Sequence, residues 1–124
     1  MNELRDKIHA NAVKKGFWKK ERELGTLLML VVSELSEALE SDRKSKTIGE
    51  MAFLDFSANN TNRNTKKFVK GFEKVIKGTV EEEIADSMIR LLDICGAYNI
   101  DIDLLIELKM AYNETRPKMH GKKY

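Results

Sequence analysis

The sequence predicts an all-α protein, a compact bundle of four or five helices in one domain spanning residues 1–124. Three observations predict it. The only proline is Pro117, near the end. Strand-like alternation of apolar and polar residues is scarce. Long stretches rich in Leu, Ile, Ala, Glu and Lys carry their apolar residues at three- and four-residue steps.

The first helix is expected over about 2–15, with Leu4, Ile8 and Ala12 four residues apart. Gly16 suits its C-terminal cap, and the lysines of its last turn suit the helix dipole. A second helix is expected over about 21–41, where Leu24, Leu27, Leu28, Val31, Leu35, Ala38 and Leu39 form a wide apolar face. Residues 41–64 are the least regular: a polar run, an apolar patch from Met51 to Phe56, then an Asn-rich stretch that reads as a loop. A short helix is expected over about 66–77, ended by Gly78. Thr79 and Glu82 are spaced for a capping box at the start of a helix running to about Tyr98. Asp101 or Asp103 suits the cap of a last helix, which runs to about Thr115 and is stopped by Pro117.

Hydrophobic residues make up 42% of the chain, enough for a core, and charged residues 34%. A domain this small leaves roughly a third of its unfolded surface wet, so assembly would help it. The net charge of +2 argues against a general nucleic-acid binder. The single cysteine, Cys95, lies among Leu91, Leu92 and Ile94, so a buried, inert thiol is expected and no internal disulfide can form. The N-terminal residues do not resemble a signal peptide, and the longest apolar run, Leu27 to Val32, is far short of the ~20 residues that span a bilayer. A soluble, cytoplasmic protein with no membrane partner is the expectation.

Two acidic pairs form the central signal, Glu34 with Glu37 and Glu83 with Asp86. Three-residue spacing puts each pair on one side of its helix. Two such helices face to face would converge four carboxylates, which repel unless a cation joins them. Oxygen-only ligands with no nearby His or Cys point to magnesium or manganese rather than zinc. Acidic pairs three apart also decorate solvated faces. Here, however, Glu34 falls within an apolar arc, and the acids of the 79–98 helix are confined to a narrow stripe on an otherwise apolar circumference. That stripe could still be the wet side of a packed helix, with Arg90 neutralising Asp86 or Asp93. Di-iron bundles, which use Glu-x-x-His, are disfavoured.

Lys109, Asn113 and Arg116 share one face of the last helix, followed by Lys118, His120, Lys122 and Lys123. Such a set suits a triphosphate; beyond His120 a solubilising basic tail is an equal reading. Trp18 offers a surface for a stacked base, although a tryptophan there more often packs a helix corner. His9 and Asn11 are lone polar groups able to read a base edge, although a solvated or capped role is the commoner one for such residues.

At these residues the chain resembles the MazG-like nucleotide pyrophosphohydrolases, within the all-α NTP pyrophosphatase group. The family pattern Glu-x-x-Glu, a gap, then Glu-x-x-Asp maps to Glu34, Glu37, Glu83 and Asp86. The flanks match at His9-Ala-Asn-Ala12, Lys15-Gly-Phe-Trp18, Ser33 to Glu40, Glu83 to Asp93, Lys109 to Pro117 and His120 to Tyr124. Residues of about 42–80 lie outside the resemblance, and the gap between the acidic motifs is longer than the family's usual one. The resemblance implies packed helices assembling as homodimers or homotetramers, with Mg2+ (or Mn2+) on Glu34, Glu37, Glu83 and Asp86. It implies cleavage of a nucleoside or deoxynucleoside triphosphate to the monophosphate and pyrophosphate. On that reading Glu37 is a candidate general base. Lys109, Asn113, Arg116, Lys118 and His120 hold the phosphates, Trp18 and Asn11 meet the nucleoside, and Arg90 and Asp93 orient the metal ligands. No stable nucleic-acid partner is expected. The competing reading is a non-enzymatic helical interaction module.

Overall fold

The computed structural model describes residues 1–123; Tyr124, the last residue of the C-terminal segment quoted above, lies outside the described residues. The regular structure of the described residues is all helical, with α1 (Asn2–Lys14), α2 (Leu24–Arg43), α3 (Glu50–Asn59), α4 (Lys66–Val75), α5 (Val80–Ala97) and α6 (Ile102–Glu114). No strand occurs among them, and no helix is long and apolar enough to cross a membrane. Six helices stand where four or five were expected. The addition is α3, inside the region that looked least regular. Its apolar residues run together instead of recurring every third or fourth position, so periodicity does not mark it, and none of its side chains is buried. The Asn-rich stretch does form a loop, from Asn60 to Asn64.

The residues gather into two units, Arg22–Leu91 and Met1–Glu21 with Leu92 onward, the division falling within α5. In the Arg22–Leu91 unit, α2 buries Leu27, Val31, Glu34, Ala38 and Ser41. These recur at four- and three-residue steps, one stripe of the helix. The stripe faces the start of α5: Ser41 Oγ donates to the Gly78 carbonyl at 3.0 Å, and Arg90 Nε donates to Glu34 Oε1 at 2.5 Å. As α2 advances from 34 to 41, its partner recedes from 90 to 78, so α2 and α5 run antiparallel. The turn between α2 and α3 is tied down as well, with Val80 N–H on the Lys46 carbonyl and Ile48 N–H on the Glu81 carboxylate.

Thr79 caps α5 as expected, its Oγ1 accepting from Glu82 N–H at 3.2 Å. The reciprocal contact is displaced by one residue: the Glu82 carboxylate accepts from Gly78 N–H, while Thr79 N–H bonds the Ile76 carbonyl. Helices α3 and α4 form a hairpin held by Phe56 stacked on Phe68, ring centroids 5.7 Å apart. Thr65 caps α4 through Phe68 N–H. Asn60 is buried beside this aromatic cluster. Its Nδ2 donates to the Phe56 carbonyl, while its Oδ1 has no hydrogen-bond partner.

In the other unit, α1 docks on the start of α6 and the end of α5 through polar contacts. Asn2 Oδ1 accepts from Ile102 N–H, Asn2 Nδ2 donates to the capping carboxylate of Asp101, and Arg5 Nη1 donates to the Ile100 carbonyl at 2.6 Å. The α-amino group of Met1 pairs with Asp103 at 2.9 Å. Gly16, at φ +89°, follows the C-cap of α1 as expected. Midway, His9 lies against Gly96, where a Cβ would sit 2.4 Å from the His9 Cβ. Only glycine allows that approach. Leu92 and Ile94 are buried, whereas Cys95, expected to be buried, is only half-buried; desolvation still pushes its thiol up.

Candidate functional site

Glu34, Glu83 and Asp86 converge, each offering a carboxylate oxygen within 4.8 Å of the others. Position on the helix explains why these acids are chosen. Of the three consecutive glutamates that open α5, Glu81 is held by Ile48 N–H and Glu82 by Gly78 N–H. Glu83 is left to face α2, and Asp86 follows one turn later. Glu34 is supplied by the buried stripe of α2, its side chain only 10% exposed. Ser87, buried beside them, returns its hydroxyl to the Glu83 carbonyl at 2.9 Å.

Glu37 stands one turn beyond Glu34, exposed, at the border of this triad. Hydrogen bonding to Glu34, and then the charge of Glu34, raise its carboxyl above the ordinary range. Burial, followed by the charges of Glu37, Glu82, Asp86 and Glu34, raises Glu83. Burial, then the charges of Glu82 and Glu34, raises Asp86. Burial works in the same direction on Glu34, but hydrogen bonds from Arg90 and Glu37 and the charge of Arg90 outweigh it, and its carboxyl is lowered. The cluster therefore holds more negative charge than Arg90 alone can balance. Arg90 makes its hydrogen bond with Glu34, while its charge also acts on Asp86, lowering that carboxyl against the other effects.

The donor set fits a hard divalent cation. All donors are carboxylate oxygens, and their 4.8 Å spread is a little wider than the roughly 4.1 Å across a magnesium coordination sphere. Small rotations of the half-buried Glu83 and Asp86 carboxylates close that difference.

Asp93 has other partners. His9 Nδ1 lies 2.7 Å from its Oδ1, and Trp18 Nε1 donates to both its oxygens at 3.1 Å. The imidazole and indole rings meet edge-on at 5.4 Å. Asp93 is the acceptor that holds the half-buried Trp18 indole. This His9–Trp18–Asp93 cluster was missed in the sequence because its members lie up to 84 residues apart and no periodicity links them. Asn11 lies exposed on α1.

The cationic face of α6 is assembled around Tyr112, whose ring has Lys109 Nζ at 4.8 Å and the Arg116 guanidinium at 5.6 Å. Arg116 also holds the following turn, Nη2 donating to the His120 carbonyl at 3.0 Å and Nη1 lying 3.3 Å from His120 Nδ1. Lys118 is exposed on that turn, where Met119 and His120 both take positive φ. Asn113 Oδ1 is buried without a hydrogen-bond partner. Lys109 and Arg116 thus meet over Tyr112, and Arg116 joins His120 to them.

Compared with protein-family models, curated proteins and solved structures, the chain finds no match.

Proposed function

We propose that this chain is a magnesium-dependent nucleoside triphosphate pyrophosphohydrolase, releasing a nucleoside monophosphate and pyrophosphate. The observation that supports this reading is the convergence of Glu34, Glu83 and Asp86 within 4.8 Å, with Glu37 at their edge. A carboxylate cluster whose members are mutually destabilised is arranged to receive positive charge. The resemblance of both acidic motifs and their flanks to the MazG-like enzymes supplies the reaction.

On this reading Glu34, Glu83 and Asp86 hold magnesium, and manganese is an alternative. The ion supplies charge neutralisation at the phosphoryl oxygens. Glu37, exposed and with its affinity for protons raised, accepts the proton of the attacking water. Arg90 holds Glu34 in place and limits the repulsion within the cluster. Lys109, Asn113 and Arg116, with Arg116 braced by His120 and Tyr112, are the point charge, amide and fork that the resemblance assigns to phosphate binding.

The test is pyrophosphate release from a panel of nucleoside triphosphates with magnesium. Glu83→Gln and Asp86→Asn should each lower turnover by at least ~10³-fold while helical circular dichroism is retained. Magnesium with a non-hydrolysable triphosphate should raise the melting temperature of the wild type and leave these variants unmoved. Full activity in either variant removes the site assignment. A wild type that neither turns over the panel nor responds to magnesium favours an interaction module.

A further inference from the structure

Helices α3 and α4 and the loop between them line a cavity of about 120 Å³. Its walls are mainly apolar: Phe53 and Phe56 from α3, Phe68 and Phe72 from α4, and Ile76 just beyond α4. Phe72 tilts against Phe68 at 6.1 Å between ring centroids, extending the Phe56–Phe68 stack along one wall.

Asn60, which ends α3, is the buried polar residue of this lining. It is 8% exposed, and its Oδ1 accepts no hydrogen bond. The orientation of the amide is fixed. Nδ2 donates to the Phe56 carbonyl one turn back at 2.8 Å, and turning the amide over would set oxygen against oxygen. With the nitrogen engaged, Oδ1 is the hydrogen-bonding group that Asn60 brings to the cavity. A buried acceptor without a donor costs free energy, and an occupant that carries a donor removes that cost.

Water suits this place poorly. A buried water makes roughly two to four hydrogen bonds, and the inner wall supplies one acceptor. The other polar lining residues, Ser57 and Arg63, are exposed and belong to the mouth. A flat ring suits it better. An apolar cavity of roughly 150 Å³ takes up benzene, so about 120 Å³ with a mouth accepts one six-membered ring. Faces and edges of phenylalanine favour an aromatic ring over an aliphatic one of equal size.

We propose that this cavity binds a small molecule with a single aromatic ring that donates one O–H or N–H to Asn60 Oδ1. Phenols and pyrimidine bases both carry that chemistry. Polar groups on the outward side of the ring face Ser57, Arg63 and water. None of these residues belongs to the acidic cluster or to the cationic face of α6, and all lie in the stretch that the resemblance leaves unmatched. The site therefore stands whether or not the chain hydrolyses a triphosphate.

Titration of the isotope-labelled full chain, followed by its backbone and asparagine side-chain amide resonances without metal or triphosphate, tests this. Phenol, uracil and the donorless toluene are the probes. The tighter of phenol and uracil should bind with a dissociation constant below about 1 mM and identifies which of the two classes the site takes. It should move the Asn60 side-chain resonances and those of the lining residues. In Asn60→Leu its affinity relative to toluene should fall at least ~5-fold, since the acceptor is lost and the apolar walls stay. If that variant loses its helical circular dichroism, Ser57→Trp, at an exposed position of the mouth, should weaken binding at least ~10-fold with the fold retained. Met51→Lys, at a 79% exposed site on α3 outside the lining, should change nothing. If neither phenol nor uracil moves these resonances at about 10 mM, water alone occupies the cavity and the proposal is overturned. A folded Asn60→Leu with an unchanged ratio, or a folded Ser57→Trp with an unchanged dissociation constant, overturns it as well.

Discussion

At the scale of single residues, the acidic cluster makes stability depend on pH in an unusual direction. Glu83, Asp86 and Glu37 have raised carboxyls, so the folded chain binds more protons than the unfolded chain just above the ordinary carboxylate range. Their contribution to stability therefore grows as pH falls from neutral through the raised values. Glu34, Asp101 and Asp103 are lowered, so their favourable contributions hold above the ordinary range and are lost only as pH falls through the lowered values. Metal-free protein should accordingly melt higher in mildly acid solution, just above the ordinary carboxylate range, than at neutral pH, and lower again as pH falls through the lowered values. Magnesium should raise the neutral value and flatten the rise. A melting temperature that increases steadily from acid to neutral would contradict this picture of the cluster.

The elements explain why the side chains reach these positions. Helix α5 serves both units with one sequence. Its first residues divide three glutamates between turn, cap and cluster, and its last turns carry Asp93 and Gly96 against α1. Gly96 is the tightest of these contacts, since any Cβ there collides with His9. Gly96→Ala should cost about 1–3 kcal/mol in urea unfolding, through separation of α1 from α5 and loss of the His9–Asp93 bond. A neutral effect would mean that α1 does not pack where Gly96 permits. The α3–α4 hairpin is held by its own aromatic residues, and the resemblance at both ends of the chain says nothing about it.

At the scale of the whole molecule, the isolated chain leaves much apolar surface uncovered. Leu28, Val32, Leu35 and Leu39 of α2 and Met88 of α5 are exposed, and so are Leu105, Leu108 and Met110 of α6. Association that covers such surface stabilises the folded state by mass action, so the melting temperature should rise with protein concentration, by several degrees from about 1 to 100 µM. A melting temperature independent of concentration would mean that folding and association are uncoupled.

The all-helical class, five of the helices, the caps at Thr79 and Asp101 and the pairing of acids three residues apart were legible in the sequence. Each depends on neighbours within a turn or two, where periodicity and capping chemistry act directly. The existence of α3 was not, because its apolar residues carry no helical period. Nor were the partner of Arg90, the joining of Asp93 to His9 and Trp18, or the split of the α2 apolar face into a buried stripe and an exposed one. Those depend on which residues distant in the chain meet across antiparallel helices. A helical wheel shows that Leu27 and Leu28 lie about 100° apart; only the packed fold decides which of them meets a neighbour.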